Sequence, residues 1–266
     1  MAARAKSKKG KRSKAAKLAR LRRLNLTATL FFAAQAVILL LLAQPAELPV
    51  RGDFLRDAPG TGLYGAKDLF DLRIDWMVAV FLLLAAVDHL FVATVGRHRY
   101  ERDVPKGSNP ARWWEYSVSA SIMVVLIAML AGASDIVALL MMFGANAAMI
   151  LFGLVMERSN LGKRKVDWSP FVWGCVIGAV PWIGIAVQLA LSQDNGDGVP
   201  GFVFGIFVSL FILFNTFAVN MWLGYRGKGR WKDPLFVELV YVILSFTAKT
   251  VLAWQVYAGS LAGTPA

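Results

Sequence analysis

The sequence is short of the residues that most protein chemistry needs. Among 266 residues there are one cysteine, Cys175, and two histidines, His89 and His98. A single thiol makes no intrachain disulfide, and Cys175 sits in an apolar run, where it reads as a small core residue. There is no metal-ligand cluster, no phosphate-cradling glycine loop and no nucleophile triad, so the enzyme reading is the weakest. Acids are scarce as well: 17 Asp and Glu stand against 29 Lys and Arg, for a net charge of +12. Such a balance often marks a nucleic-acid binder. Here the cations sit before or between hydrophobic runs, and no aromatics interleave the basic tail. That pattern argues against nucleic acid and for topology signals and anionic lipid.

Apolar sequence is what the chain has in excess. It is 57% hydrophobic with mean hydropathy +0.54, where soluble domains hold about 45–50%. The excess falls in runs of about 18 residues or more, long enough to cross a bilayer as helices. Seven such segments can be placed. They cover roughly 26–43, 75–96, a third from Asn109 onward, then roughly 136–156, 168–192, 198–224 and 239–259. Asn109 followed by Pro110 reads as N-cap and first helical residue. Pro181 predicts a kink, and Gly174 and Gly178 predict close helix packing. The polar segment 44–73 carries Pro59-Gly60 and Gly62 between alternating stretches, which predicts a β-hairpin. The fold class is therefore an all-α membrane protein. A seven-helix domain over 26–259 follows a basic tail at 1–25, disordered with a partly helical end, and precedes a short tail at 260–266.

Seven crossings put the termini on opposite sides. On the N-terminal side lie 24 Lys and Arg; on the other lie 4, all within 44–73. Basic residues stay in the cytoplasm, so the N-terminus is expected there and the C-terminus outside, in a multi-pass protein of the cell membrane.

The seventh segment carries Lys249 near its middle. A lysine at that depth costs roughly 2.5–3.5 kcal/mol on insertion scales and marks a functional site by default. A buried carboxylate can offset the cost, as can conversion of the amine to a Schiff base. Other ionisable residues at membrane depth are Asp88, His89 and Glu115, with Glu238 near a boundary. The third and seventh segments start on the same side, and a helical side chain leans toward its own N-terminus. Lys249 is thus expected to meet Glu115, with Ser245 one turn away as hydrogen-bond partner. The plain alternative is a structural Lys–Glu pair holding two helices together.

The segments RWWEYSVSAS (112–121), GASDIVALLMMFGANAAMILFG (132–153), GCVIGAVPWIG (174–184), VPGFVFGIF (199–207), YRGKGRW (225–231) and LSFTAKTVLAWQ (244–255) resemble the heliorhodopsins. The first two helices are similar only through FFAAQ (31–35) and His89. Heliorhodopsins are seven-helix retinal-binding photoreceptors with a cytoplasmic N-terminus and a dimeric assembly. The resemblance implies that Lys249 forms a Schiff base with all-trans retinal and that Glu115 is the counter-ion. It places Ser245 and His89 near the Schiff base and Arg112 and Tyr116 in a polar network. Met123, Met149, Gly153, Phe214 and Trp254 are its chromophore contacts. It also implies a homodimer, with segment 44–73 as its cover, and a slow, non-pumping signalling photocycle. The signalling partner is a cytoplasmic one that the sequence does not identify. Two residues depart from the family. Phe32 stands where it often has a second histidine, which leaves His89 to act alone, and Asp88 lies outside its pattern. Two other readings remain: a light-driven proton transporter or channel of the same fold, and a seven-helix transporter or scaffold that binds no retinal.

Overall fold

The computed structural model describes residues 2–195 and 198–261, with side chains from residue 13 onward. Among the described residues, seven helices are long and apolar enough to cross a membrane. In chain order the elements are α1 (Ala2–Leu42), strands β1 (Glu47–Leu55) and β2 (Tyr64–Arg73), α2 (Ile74–Ala93), α3 (Arg97–Asp103), α4 (Pro110–Leu130), α5 (Ile136–Asn160), α6 (Ser169–Asn195), α7 (Gly201–Arg226) and α8 (Pro234–Val256), which a π-helical turn extends to Leu261. The spans are α1, α2 and α4 to α8. Helices satisfy every backbone group internally, which is the condition for crossing hydrocarbon.

Each span packs on its neighbours in sequence, and α1 closes the ring against α8. The core runs through the middle, from Phe32 and Leu39 of α1 through Phe81, Leu82, Leu126 and Ile127 to Ile185, Leu210 and Leu252. Large apolar side chains such as Leu83, Val87, Ile183 and Ile212 face outward. Between α6 and α7 the contact is made by aromatic rings, Trp182 lying 5.3–5.7 Å from Phe207, Phe211 and Phe214.

Local sequence signals set the helix starts. Asn109 Oδ1 accepts from the Arg112 backbone N–H with Pro110 at the first helical position, and Asp135 and Asp233 cap α5 and α8 in the same way. Pro181 lies inside the continuous α6. Strands β1 and β2 pair antiparallel with a bulge at Val50/Arg51, and Gly60 and Gly62 supply the positive φ angles of the turn between them. The hairpin is tied to the bundle at the α4–α5 turn, where the Arg51 N–H donates to the Ser134 carbonyl at 2.8 Å.

Three expectations change. The first helix begins at Ala2, so residues 2–25 are helix and not a disordered tail. They are mostly Ala, Lys, Arg and Leu, strong helix formers, and extending an existing helix requires no new nucleus. The extension is also anchored: Leu21 and Asn25 are buried, and Lys17 pairs with Asp233 at 2.7 Å. Second, the basic loop after α2 contains α3. An Arg97–Glu101 pair at 2.6 Å supports it, and Tyr100 packs into a small core with Leu21, Val92 and Leu235. Third, the expected C-terminal tail begins inside the π-helical turn, where Leu261 is buried; residues 262–266 lie outside the described residues.

Candidate functional site

Two charged clusters sit one helical turn apart on α4. The first joins α4 to α8. Lys249 Nζ donates to Glu115 Oε1 at 3.0 Å and Oε2 at 3.1 Å, and lies 3.3 Å from Ser245 Oγ. The two charged side chains are only 5% and 7% exposed. The Tyr116 ring is 4.8 Å from Nζ, and its hydroxyl donates to the Tyr241 carbonyl at 3.2 Å. Lys249, Glu115, Ser245 and Tyr116 therefore converge, and the amine has a carboxylate, a hydroxyl and a π face around it. In so dry a place the pair holds together strongly, and removing either partner strands a charge.

Next to the amine opens a cavity of about 300 Å³. Helices α4 to α8 all contribute to its lining, mostly with apolar side chains. Met123, Met149, Gly153 and Phe214 are in its wall, together with Trp113, Phe171, Trp182 and Phe217. Gly153 lets the Trp113 ring lie close against α5: a Cβ there would run into the ring, which would have to shift. Such a volume lies at the lower end of the roughly 300–1,000 Å³ of small-molecule sites, which are apolar with a few convergent polar groups.

Trp254 does not join this wall. It is 37% exposed and donates from Nε1 to Gln35 Oε1 at 2.9 Å. Five residues past Lys249 a helix has turned by roughly 140°, which carries the side chain toward α1. Cys175 also differs from expectation: it is exposed and lines the cavity. His89 sits beside the site rather than on it. It is buried, stacked on Phe32 at 5.6 Å, and 2.6 Å from Asn25 Oδ1 through Nδ1. Phe32 also meets Phe246 of α8, three residues before Lys249, at 5.6 Å. The Asn25 amide donates to the Leu21 carbonyl at 3.0 Å, so its oxygen accepts and His89 carries its proton on Nδ1. Asp88 is half-buried and, among the described residues, makes no hydrogen bond or ion pair.

The second cluster centres on Arg112, which is 5% exposed and hydrogen-bonds Glu157 of α5 with one nitrogen and Glu238 of α8 with another. Its guanidinium lies 4.0 Å from the Tyr241 ring. Asn109 adds its backbone N–H to Glu157 at 2.8 Å and its amide to Glu238 at 2.9 Å. Tyr100 donates to Glu238 at 3.1 Å; burial pushes its hydroxyl well above the usual range, which keeps it a donor. Asn25 reaches Tyr100 at 3.4 Å, so one chain of buried polar groups runs from His89 to Glu157. Sequence reasoning named Arg112 and Glu238 but missed Asn25 and Glu157. Glu157 had a signal: an acid in the last turn of a helix opposes the helix dipole and calls for a cation nearby.

A family model, Heliorhodopsin, matches residues 21–261. A search of curated proteins gives no match. Among solved structures the chain is similar to a light-driven proton pump, LR (Mac), from Leptosphaeria maculans, at 16% identity over 92% of this chain and 95% of that one, with a TM-score of 0.58. At that identity the likeness is one of fold.

Proposed function

This chain belongs to the heliorhodopsin family, and on that premise we propose that it is a light-sensing photoreceptor with all-trans retinal on Lys249. Family membership implies a retinal chromophore, and the residues present fit one. The cavity is apolar and aromatic-lined, and the amine lies against its wall, where an aldehyde carbon can meet it. When bound there, retinal supplies visible absorption and a light-driven double-bond isomerisation.

The protein's own groups do the rest. Glu115 holds the positive charge on Lys249 Nζ, and the closeness of its two oxygens lowers the ground state and moves absorption to the blue. Ser245 accepts a hydrogen bond from the same nitrogen. Trp182, with Phe207, Phe211 and Phe214, excludes water from the wall between α6 and α7. With retinal bound, Glu115 would be the carboxylate that faces the Nζ proton and the nearest group able to take it. His89 has Nδ1 committed to Asn25, which leaves Nε2 with its lone pair.

The output is a shape change rather than a current. Toward the C-terminal side of Lys249 the only buried ionisable side chain among the described residues is Asp75, at the start of α2 beside Arg73. A vectorial pump needs ionisable groups on both sides of its switch. The charge asymmetry supports an N-terminus in the cytoplasm, and the exposed basic loops there suit a soluble partner.

The observation that carries this reading is the buried Lys249–Glu115 pair against an aromatic cavity. Its test is an absorption spectrum of the protein expressed with all-trans retinal, beside Lys249→Ala. A visible band that the variant lacks is expected. A folded wild type without a band would leave Lys249 as half of a structural pair. Sustained photocurrents in electrical recordings would replace the sensor with the transporter.

A further inference from the structure

Away from the lysine site, a groove of about 320 Å³ lies on the N-terminal side of the bundle, between α1 and the start of α8. Its rim is basic. Lys17 and Arg20 come from α1, and Arg230 and Lys232 come from the turn that leads into α8. Its floor is apolar, with Leu21 and Leu235 buried and Phe236 and Leu239 beside them. The helical repeat makes this arrangement. Lys17, Arg20 and Leu21 are spaced three and four residues apart and share one face of α1, and Leu235 and Leu239 stack one turn apart on α8.

The groove holds one acid, Asp233, and it is already engaged. Lys17 donates to its Oδ2 at 2.7 Å, and its Oδ1 accepts from the Leu235 N–H at 3.1 Å. Arg20, Arg230 and Lys232 are exposed and, among the described residues, form no ion pair with a carboxylate. The Arg230 guanidinium lies 4.8 Å over the Phe236 ring, which holds it above the floor. Three like charges brought to one rim repel each other, and an anion between them relieves the repulsion. The apolar floor decides which anion. A free phosphate gains nothing from the half-buried Phe236 and Leu239, whereas a phosphate with an acyl chain covers them. The groove also lies where the apolar parts of α1 and α8 begin, which is the depth of lipid headgroups for two spanning helices.

We propose that this groove binds an anionic phospholipid, with its phosphate on Arg20, Arg230 and Lys232 and its upper acyl chain along Phe236 and Leu239. The proposal rests on the membrane-spanning reading and is independent of what Lys249 carries.

Native mass spectrometry of the full chain in detergent tests it, with phosphatidylglycerol and phosphatidylcholine of identical acyl chains as probes. Phosphatidylglycerol is expected to stay bound and phosphatidylcholine to be lost. The variant R20Q/R230Q/K232Q should bind phosphatidylglycerol about a hundredfold more weakly, since each surface cation contributes roughly fivefold. The control K163Q/R164Q/K165Q removes the same charge from another exposed loop and should leave binding within about twofold. Equal losses in both variants would overturn the site in favour of diffuse attraction. Displacement of the lipid by equimolar glycerol phosphate would overturn it in favour of a plain phosphate site. If the triple variant does not fold, K232Q alone should weaken binding by about fivefold, and an unchanged affinity would again sink the proposal.

Discussion

On the N-terminal side of Lys249 the bundle interior is charged: Glu115 faces the lysine, and one turn away Arg112, Glu157 and Glu238 are linked through Asn109, Tyr100 and Asn25 to His89. On the C-terminal side, Val78, Phe81, Leu126, Ile127, Leu252 and Val256 close the same helices over hydrocarbon. The two halves are held by different forces. In the charged half, each group depends on a particular partner. In the apolar half, stability grows with buried area, and the partners are interchangeable within limits of volume. The contrast also bears on function, because a proton released near Lys249 finds polar groups in one direction and packed side chains in the other.

The hardest way to break this contrast is to remove Arg112. Arg112→Met leaves Glu157 and Glu238 buried without their cation and is expected to cost about 3–5 kcal/mol. It should appear as a large drop in the thermal midpoint, or as loss of folded protein. A similar loss of about 2–5 kcal/mol is expected from a cavity in the apolar half, by Leu252→Ala. There the visible band of the retinal-loaded protein should stay in place, because no charge near Nζ has changed. Glu115→Gln reverses that pattern: the visible band moves to the red, since the nearest negative charge to Nζ is gone. If Leu252→Ala shifts the band as far as Glu115→Gln, the halves are not separate in function. Asn25→Ala sharpens the picture within the charged half. It strips His89 Nδ1 and Tyr100 of a buried partner and should cost about 1–3 kcal/mol by chemical or thermal unfolding. The smallest effect belongs to Lys17→Met. Its pair with Asp233 is half-exposed, and such pairs contribute at most about 1 kcal/mol.

Much of the bundle was legible in the sequence. Spans came from run length, and the start of α4 from the Asn109–Pro110 signal. The hairpin came from its turn residues. These are local properties, set within a few residues of where they act. The continuation of α1 to Ala2 was missed for the opposite reason: a run of cations reads as a solvated tail until Leu21 and Asn25 are seen to pack. Trp254 shows the limit at the site. Its motif resembles the family's, yet the phase of α8 turns it to Gln35.

By itself the sequence determined seven apolar spans, the excess of cations on one side, and a lysine and a glutamate at depths that let them meet. Those follow from hydrophobicity, charge and the helical repeat, which need no knowledge of neighbours. Only the tertiary structure decided that Arg112 chooses both Glu157 and Glu238, that Asn25 fixes the proton on His89, and that a cavity opens beside Lys249. Each depends on which side chains, tens of residues apart, are brought within about 3 Å and out of water.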